Sequence, residues 1–158
     1  MLNSNRLTIA ALALTCIAGA TACKNDRATA PKVETYTAAL DGSNETTPPA
    51  LILGATGNST ITVNGNTLTW SLTTANFAAG TEAPAGGTTL PAHIHLGAVG
   101  AAGGIMVPLT ATLNGGTSGT VTVVDSVLTH MRAGEAYVNV HTNHRAAGEI
   151  RGQLVRTQ

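Results

Sequence analysis

The chain has 158 residues, no net charge and a pI near 7.0, and only 10% of its residues are Asp, Glu, Lys or Arg. No cluster of Lys or Arg occurs along it, which excludes an electrostatic surface for nucleic acid. Its two cysteines, Cys16 and Cys23, both lie near the start, so the rest of the chain carries neither disulfide nor thiolate chemistry.

Residues 1–22 read as an export signal. Arg6 and the amino terminus make a positive start, and Leu7 to Ala22 is an apolar run, short for a bilayer span of roughly 20 residues. It ends in Ala20-Thr21-Ala22-Cys23, small residues before a cysteine that resemble a bacterial lipobox. Cleavage there leaves Cys23 to carry lipid, and several acyl chains on one residue anchor stably. The expected partner is then the lipid bilayer, and the expected location is extracytoplasmic, in the periplasm or at the cell surface. Ordinary cleavage after Ala22 is the alternative and gives a secreted protein. Residues 23–35, polar and carrying Pro31, read as a flexible tether, which leaves 36–158 for the folded domain.

Within that domain apolar residues recur with period 2. Tyr36 to Leu40 is a first strand, broken by Gly42, Asn44 and the Pro48-Pro49 pair. Residues 55–63 alternate Gly, Ser, Ile and Val, and Asn64-Gly65-Asn66 is a hairpin turn. In the return strand Leu68, Trp70 and Leu72 face one way and threonines and Ser71 the other. After a long Ala/Gly/Pro/Thr loop, Ala92-His93-Ile94-His95-Leu96 is a short strand with both histidines on one face. Gly97 to Gly104 is a glycine loop. Strands follow over Ile105 to Leu109 and Thr120 to Val124, on either side of an Asn114-Gly115-Gly116 turn.

Asp125 to Gly134 reads as one helical turn, capped by Asp125 and stopped at Gly134. Glu135 to Thr142 and Glu149 to Arg156 are the closing strands. About seven or eight short strands with one short helical turn imply an all-β protein, an antiparallel immunoglobulin-like or Greek-key β-sandwich.

Six segments, in this order, resemble the chordin-type (CHRD) domain family. They are Ala39-Leu40-Asp41-Gly42-Ser43-Asn44-Glu45-Thr46-Thr47-Pro48-Pro49, Gly54-Ala55-Thr56-Gly57, Leu68-Thr69-Trp70, Ala92-His93-Ile94-His95-Leu96-Gly97, Tyr137-Val138-Asn139-Val140-His141-Thr142 and Gly148-Glu149-Ile150-Arg151-Gly152-Gln153-Leu154. One departure is Arg145-Ala146-Ala147, where the family commonly has a proline. The resemblance implies an extracytoplasmic β module, which in bacteria usually stands alone behind a signal peptide. It implies no family-wide enzymatic activity. The expected role is a binding or structural module of the cell envelope, with an envelope protein or small ligand as partner and no catalytic activity assigned.

Parity places His93 and His95 on one face of their strand, Tyr137, Asn139 and His141 on one face of the next, and Glu149 and Arg151 on one face of the last. If these strands are neighbours, the residues form a polar stripe that supports two readings. In one it is a hydrogen-bond network, with Glu149 and Arg151 paired and the histidines donating to carbonyls. In the other His93, His95 and His141, with His144 as a fourth candidate, bind copper or zinc. The His-x-His strand is similar to that of copper–zinc superoxide dismutases, but a bridging histidine with an aspartate and a disulfide are missing.

Overall fold

A computed structural model describes residues 32–46 and 54–158; the export segment, Cys16, Cys23 and the Pro48-Pro49 break lie outside the described residues. The strands are β1 (Glu34–Asp41), β2 (Thr56–Asn64), β3 (Thr67–Ala75), β4 (Thr89–Leu96), β5 (Ile105–Thr112), β6 (Gly116–Thr122), β7 (Ala136–Val140), β8 (Ile150–Gln153) and β9 (Val155–Arg156). One helix, α1 (Asp125–Arg132), precedes β7, and a 3-10 turn, Gly42–Asn44, follows β1.

Every pairing is antiparallel. The strands run β5-β4-β7-β8-β1-β2-β3-β6, with β9 on β1. The all-β expectation holds, and the two layers are one continuous sheet that is nearly closed. Its edges, β5 and β6, meet across a tight turn, where the hydroxyls of Thr112 and Thr117 lie 2.6 Å apart.

Period 2 explains the core. The inner face carries Tyr36, Ala38 and Leu40 from β1, Ile61 and Val63 from β2, and Leu68, Trp70 and Leu72 from β3. Leu90, Ala92 and Ile94 join them from β4, Val107, Leu109 and Ala111 from β5, and Ala136, Val138 and Val140 from β7. Helix α1 adds Val127, Leu128 and Met131. The expected strand at Thr120 begins earlier, at Gly116, because β6 (GTSGTVT) lacks the apolar alternation that would announce it. Asp125 does not cap α1. The cap position is Val124, without a side-chain bond, and Asp125 instead accepts from Asn66 Nδ2 at 2.6 Å. Gly134 ends the helix at φ +75°, as its position implied.

Glu34 and Thr35, read as the end of the tether, are the first residues of β1. Glu34 is buried. Arg132 donates to it twice, through Nη2 at 2.7 Å and Nε at 2.9 Å, Tyr36 donates its hydroxyl at 2.7 Å, and Arg156 lies 3.6 Å away. The Arg132 bonds hold the Glu34 carboxyl below its usual range. Burial, then the bond to Glu34, pushes the Tyr36 phenol up to about 12. This cluster ties the C-terminal end of α1 and the last strand to the first.

Candidate metal centre

Strands β4, β7 and β8 are adjacent, as the polar stripe requires. His93 pairs with Asn139 and Asn139 with Arg151; His95 pairs with Tyr137 and Tyr137 with Gln153. Facing residues of an antiparallel pair share a side of the sheet, and Ala92, Ile94, Val138 and Val140 point into the core. The polar row therefore lies on the outer face of the sheet.

An outer face is normally wet, yet His95, Asn139, His141, Glu149 and Arg151 are all at most 9% exposed. Three connecting segments cover them. The turn after β1 reaches over through Asn44, which donates to Arg151 O at 3.0 Å. The loop 97–104 lies across the other end: Arg151 Nη2 donates to Ala98 O and Ala101 O at 3.1 and 2.8 Å, and Gln153 Nε2 to Gly97 O at 3.0 Å. The turn after His141 folds back so that Ala146 O reaches its ring. In this last turn a Cβ on Gly148 would sit 2.6 Å from Asn139 Oδ1 and 2.7 Å from Glu45 Oε1, so only glycine lets the backbone lie there.

The three imidazoles meet beneath this cover. Ring centroids are 5.4 Å apart for His93 and His95, 4.9 Å for His93 and His141, and 5.6 Å for His95 and His141. One nitrogen from each lies within 4.8 Å of the other two. Three donors at about 2.0–2.1 Å from one ion, in tetrahedral or trigonal arrangement, stand about 3.3–3.6 Å apart. Closing on a common ion thus asks for side-chain shifts of about 1 Å.

Each ring also divides its nitrogens. His95 Nδ1 lies 3.0 Å from Gly103 O, and His141 Nδ1 lies 3.0 Å from Ala146 O. A carbonyl only accepts, so both Nδ1 atoms carry the proton and both Nε2 atoms present a lone pair. Those Nε2 atoms, and Nδ1 of His93, are buried and have no hydrogen-bond partner among the described residues. An unsatisfied buried polar atom costs roughly 1–3 kcal/mol, and three such lone-pair donors on neighbouring rings make a set that suits a Lewis acid.

Two of the three rings are held toward the neutral form. Burial, then His141 and His95 beside it, lowers the His93 ring to about 4. Burial also lowers His141, against the opposing bond to Ala146. Neutral imidazole is the form that binds a metal.

Not every expected residue joins in. His144 is exposed and stands outside the three-histidine group. It lies in the turn beyond the ordered part of β7, where alternation no longer sets direction. Glu149 and Arg151 form no ion pair with each other. The Glu149 carboxylate takes the Thr142 hydroxyl, and the Arg151 guanidinium lies 3.5 Å from the Tyr137 ring centroid. The ring of Tyr137 in turn stacks on His95, 5.1 Å away and 10° from parallel. His130, at the end of α1, bonds Glu135 at 2.9 Å on the surface and takes no part in the group.

Sequence reasoning missed the carbonyls of Gly103 and Ala146, the hydroxyl of Thr142, and Glu45. Only the glycine density of 97–104 signalled a close approach there. A Cβ on Gly103 would fall on the Leu96 carbonyl oxygen. Burial raises the Glu45 carboxyl, with Arg151 and Asn139 pulling the other way.

No curated protein and no solved structure matches the chain. Residues 36–154 match the profile of the CHRD domain, a span that takes in β4, β7, β8 and every residue of the histidine site. The chain belongs to the CHRD domain family.

Proposed function

We propose that this chain is a membrane-tethered, extracytoplasmic binding module that holds one transition-metal ion, copper or zinc, on His93, His95 and His141. The observation that carries the reading is that each of the three rings brings a nitrogen within 4.8 Å of the other two, and each has a buried nitrogen with no hydrogen-bond partner among the described residues. Two of these rings are already fixed in the metal-binding tautomer by backbone carbonyls. In metal sites a ligating histidine ordinarily donates its second N–H to such a partner.

The donor set speaks to the metal class. Three neutral imidazoles without thiolate or carboxylate suit copper or zinc better than calcium or magnesium, which take oxygen ligands. His93 is the most exposed of the three, so an ion would enter on its side. Among the described residues no acid, base or nucleophile stands in an activating arrangement beside the cluster, and the reading stops at binding.

The test is metal content after equilibrium dialysis against copper(II) or zinc. Wild type should retain one ion per chain and His95→Ala none; equal retention by the two would dismiss the site. For the tether, Cys23→Ser should move the protein from the membrane fraction to the soluble extracytoplasmic fraction. A mutant that stays with the membrane would rule out lipidation at Cys23.

A further inference from the structure

Resting on that metal reading, we propose that Arg151 is a positioning residue for the centre: it pins the loop 97–104 so that the Gly103 peptide sets the ring of His95. Arg151 makes no hydrogen bond to any of the three histidines; its side-chain contacts are Ala98, Ala101 and the Tyr137 ring. It acts through two routes that converge on one ring.

The first route is the loop. Arg151 Nη2 donates to Ala98 O and Ala101 O, which fixes the segment two residues before Gly103. The Gly103 peptide then makes two bonds: its carbonyl accepts from His95 Nδ1 at 3.0 Å, and its N–H donates to Tyr137 Oη at 3.3 Å. A Cβ at position 103 would fall on the Leu96 carbonyl oxygen, so only glycine lets the loop lie this close to β4.

The second route is a stack. Strand β7 lies between β4 and β8, so Tyr137 is flanked by His95 from one neighbour and by Arg151 from the other. The guanidinium lies over the ring at 3.5 Å and the ring is parallel to the imidazole within 10°. Arginine suits both routes, since its planar fork can donate to two carbonyls while its face lies on an aromatic ring. The result is asymmetric. His141 takes its orientation from Ala146 in a different turn, which Arg151 does not touch, and His93 has no backbone carbonyl at all.

That asymmetry gives a readout that a general effect on folding would not move. In metal-free protein, long-range proton–nitrogen correlations of the imidazoles should show His95 and His141 both protonated at Nδ1. Arg151→Gln should turn His95 into a mixture of tautomers and leave His141 unchanged. Copper(II) affinity, from competition with a chelator, should fall about ten-fold, the lower end of the range for an outer-shell partner. The copper(II) electron-spin spectrum should change from one species to several. Arg151→Lys should recover part of both effects.

Should Arg151→Gln fail to fold, Arg151→Met decides, since it fills much the same volume over Tyr137 while removing both donors to the loop. A folded variant with the wild-type His95 tautomer and copper affinity would overturn the proposal. If wild type itself binds no metal, the metal reading fails while the tautomer measurement still judges the Arg151–His95 link.

Discussion

If the three histidines bind an ion that the unfolded chain does not, the ion must stabilise the fold, and His95→Ala must abolish that gain. At free metal one hundred times the dissociation constant, linkage gives about 2.7 kcal/mol. For a domain of this size each kcal/mol moves Tm by about 3–5 °C, so saturating copper(II) or zinc should raise Tm by about 10 °C. The assay is thermal unfolding followed by circular dichroism, with and without metal. Cys16 and Cys23 are both changed to serine, so that no thiol in the unfolded state competes. His95→Ala loses its bond to Gly103 and its stack on Tyr137, and its metal-free Tm falls too. The comparison is therefore each variant's own metal-induced shift. That shift should be about 10 °C for wild type and for His144→Ala, whose ring is exposed and outside the group, and near zero for His95→Ala and His141→Ala. A His95→Ala protein that still gains several degrees, or a His144→Ala protein that gains none, would refute the three-histidine assignment.

Other outcomes follow from the charges and the turns. The His93 ring, near 4 when folded against about 6.5 unfolded, makes the unfolded chain the better proton acceptor between those values. Stability should fall as pH drops from about 6.5 to 4, by on the order of 2–3 kcal/mol, and His93→Gln should flatten that part of a urea-unfolding pH profile. Glu34 has the opposite origin but the same sign: its folded value is depressed, so its contribution is present above about 4.5 and lost as pH falls through the folded value. Arg132→Leu should lower stability at pH 7 by about 2 kcal/mol, less than the 3–5 kcal/mol of a fully broken buried pair, because Tyr36 and Arg156 still face the carboxylate. It should also shrink the acid-dependent loss, measured by the same titration. Gly148→Ala should open the turn over Asn139 and weaken metal retention in dialysis while leaving the core's far-ultraviolet spectrum in place.

Much of this was legible because period 2 is a strong signal where one face is apolar. Trp70 between Leu68 and Leu72, and Val138 between Ala136 and Val140, could only point inward. The same parity put His93, His95 and His141 on a common outer side once β4 and β7 were neighbours. Parity ends where the strand ends, so His144 was read as a ligand although the chain has already turned outward. The Glu149–Arg151 pairing failed for a related reason. Residues two apart on a strand share a face but stand nearly two rises apart, about 6–7 Å, and each side chain found a nearer partner in a loop. Long-range cover leaves no local trace: Glu34 meets Arg132 across 98 positions of sequence, and a glutamate before a strand reads as tether.

The two faces of β7 divide the molecule's work. Ala136, Val138 and Val140 face the core, and substitutions there should act on the whole fold, because a cavity in a closed sheet has no loop to fill it. Tyr137 and Asn139, with His141 beyond them, face a layer built from three connections between strands. Burying histidines under loops costs more than burying valines in a core, since each buried nitrogen must find a partner. The backbone provides one for His95 and one for His141 and leaves the inward nitrogens empty. A cover that served folding alone would be better satisfied by apolar residues at positions 93, 95 and 141. On the proposed metal reading the three imidazoles that face one another are the ligands, and apolar residues in their place should remove metal binding while leaving the fold intact.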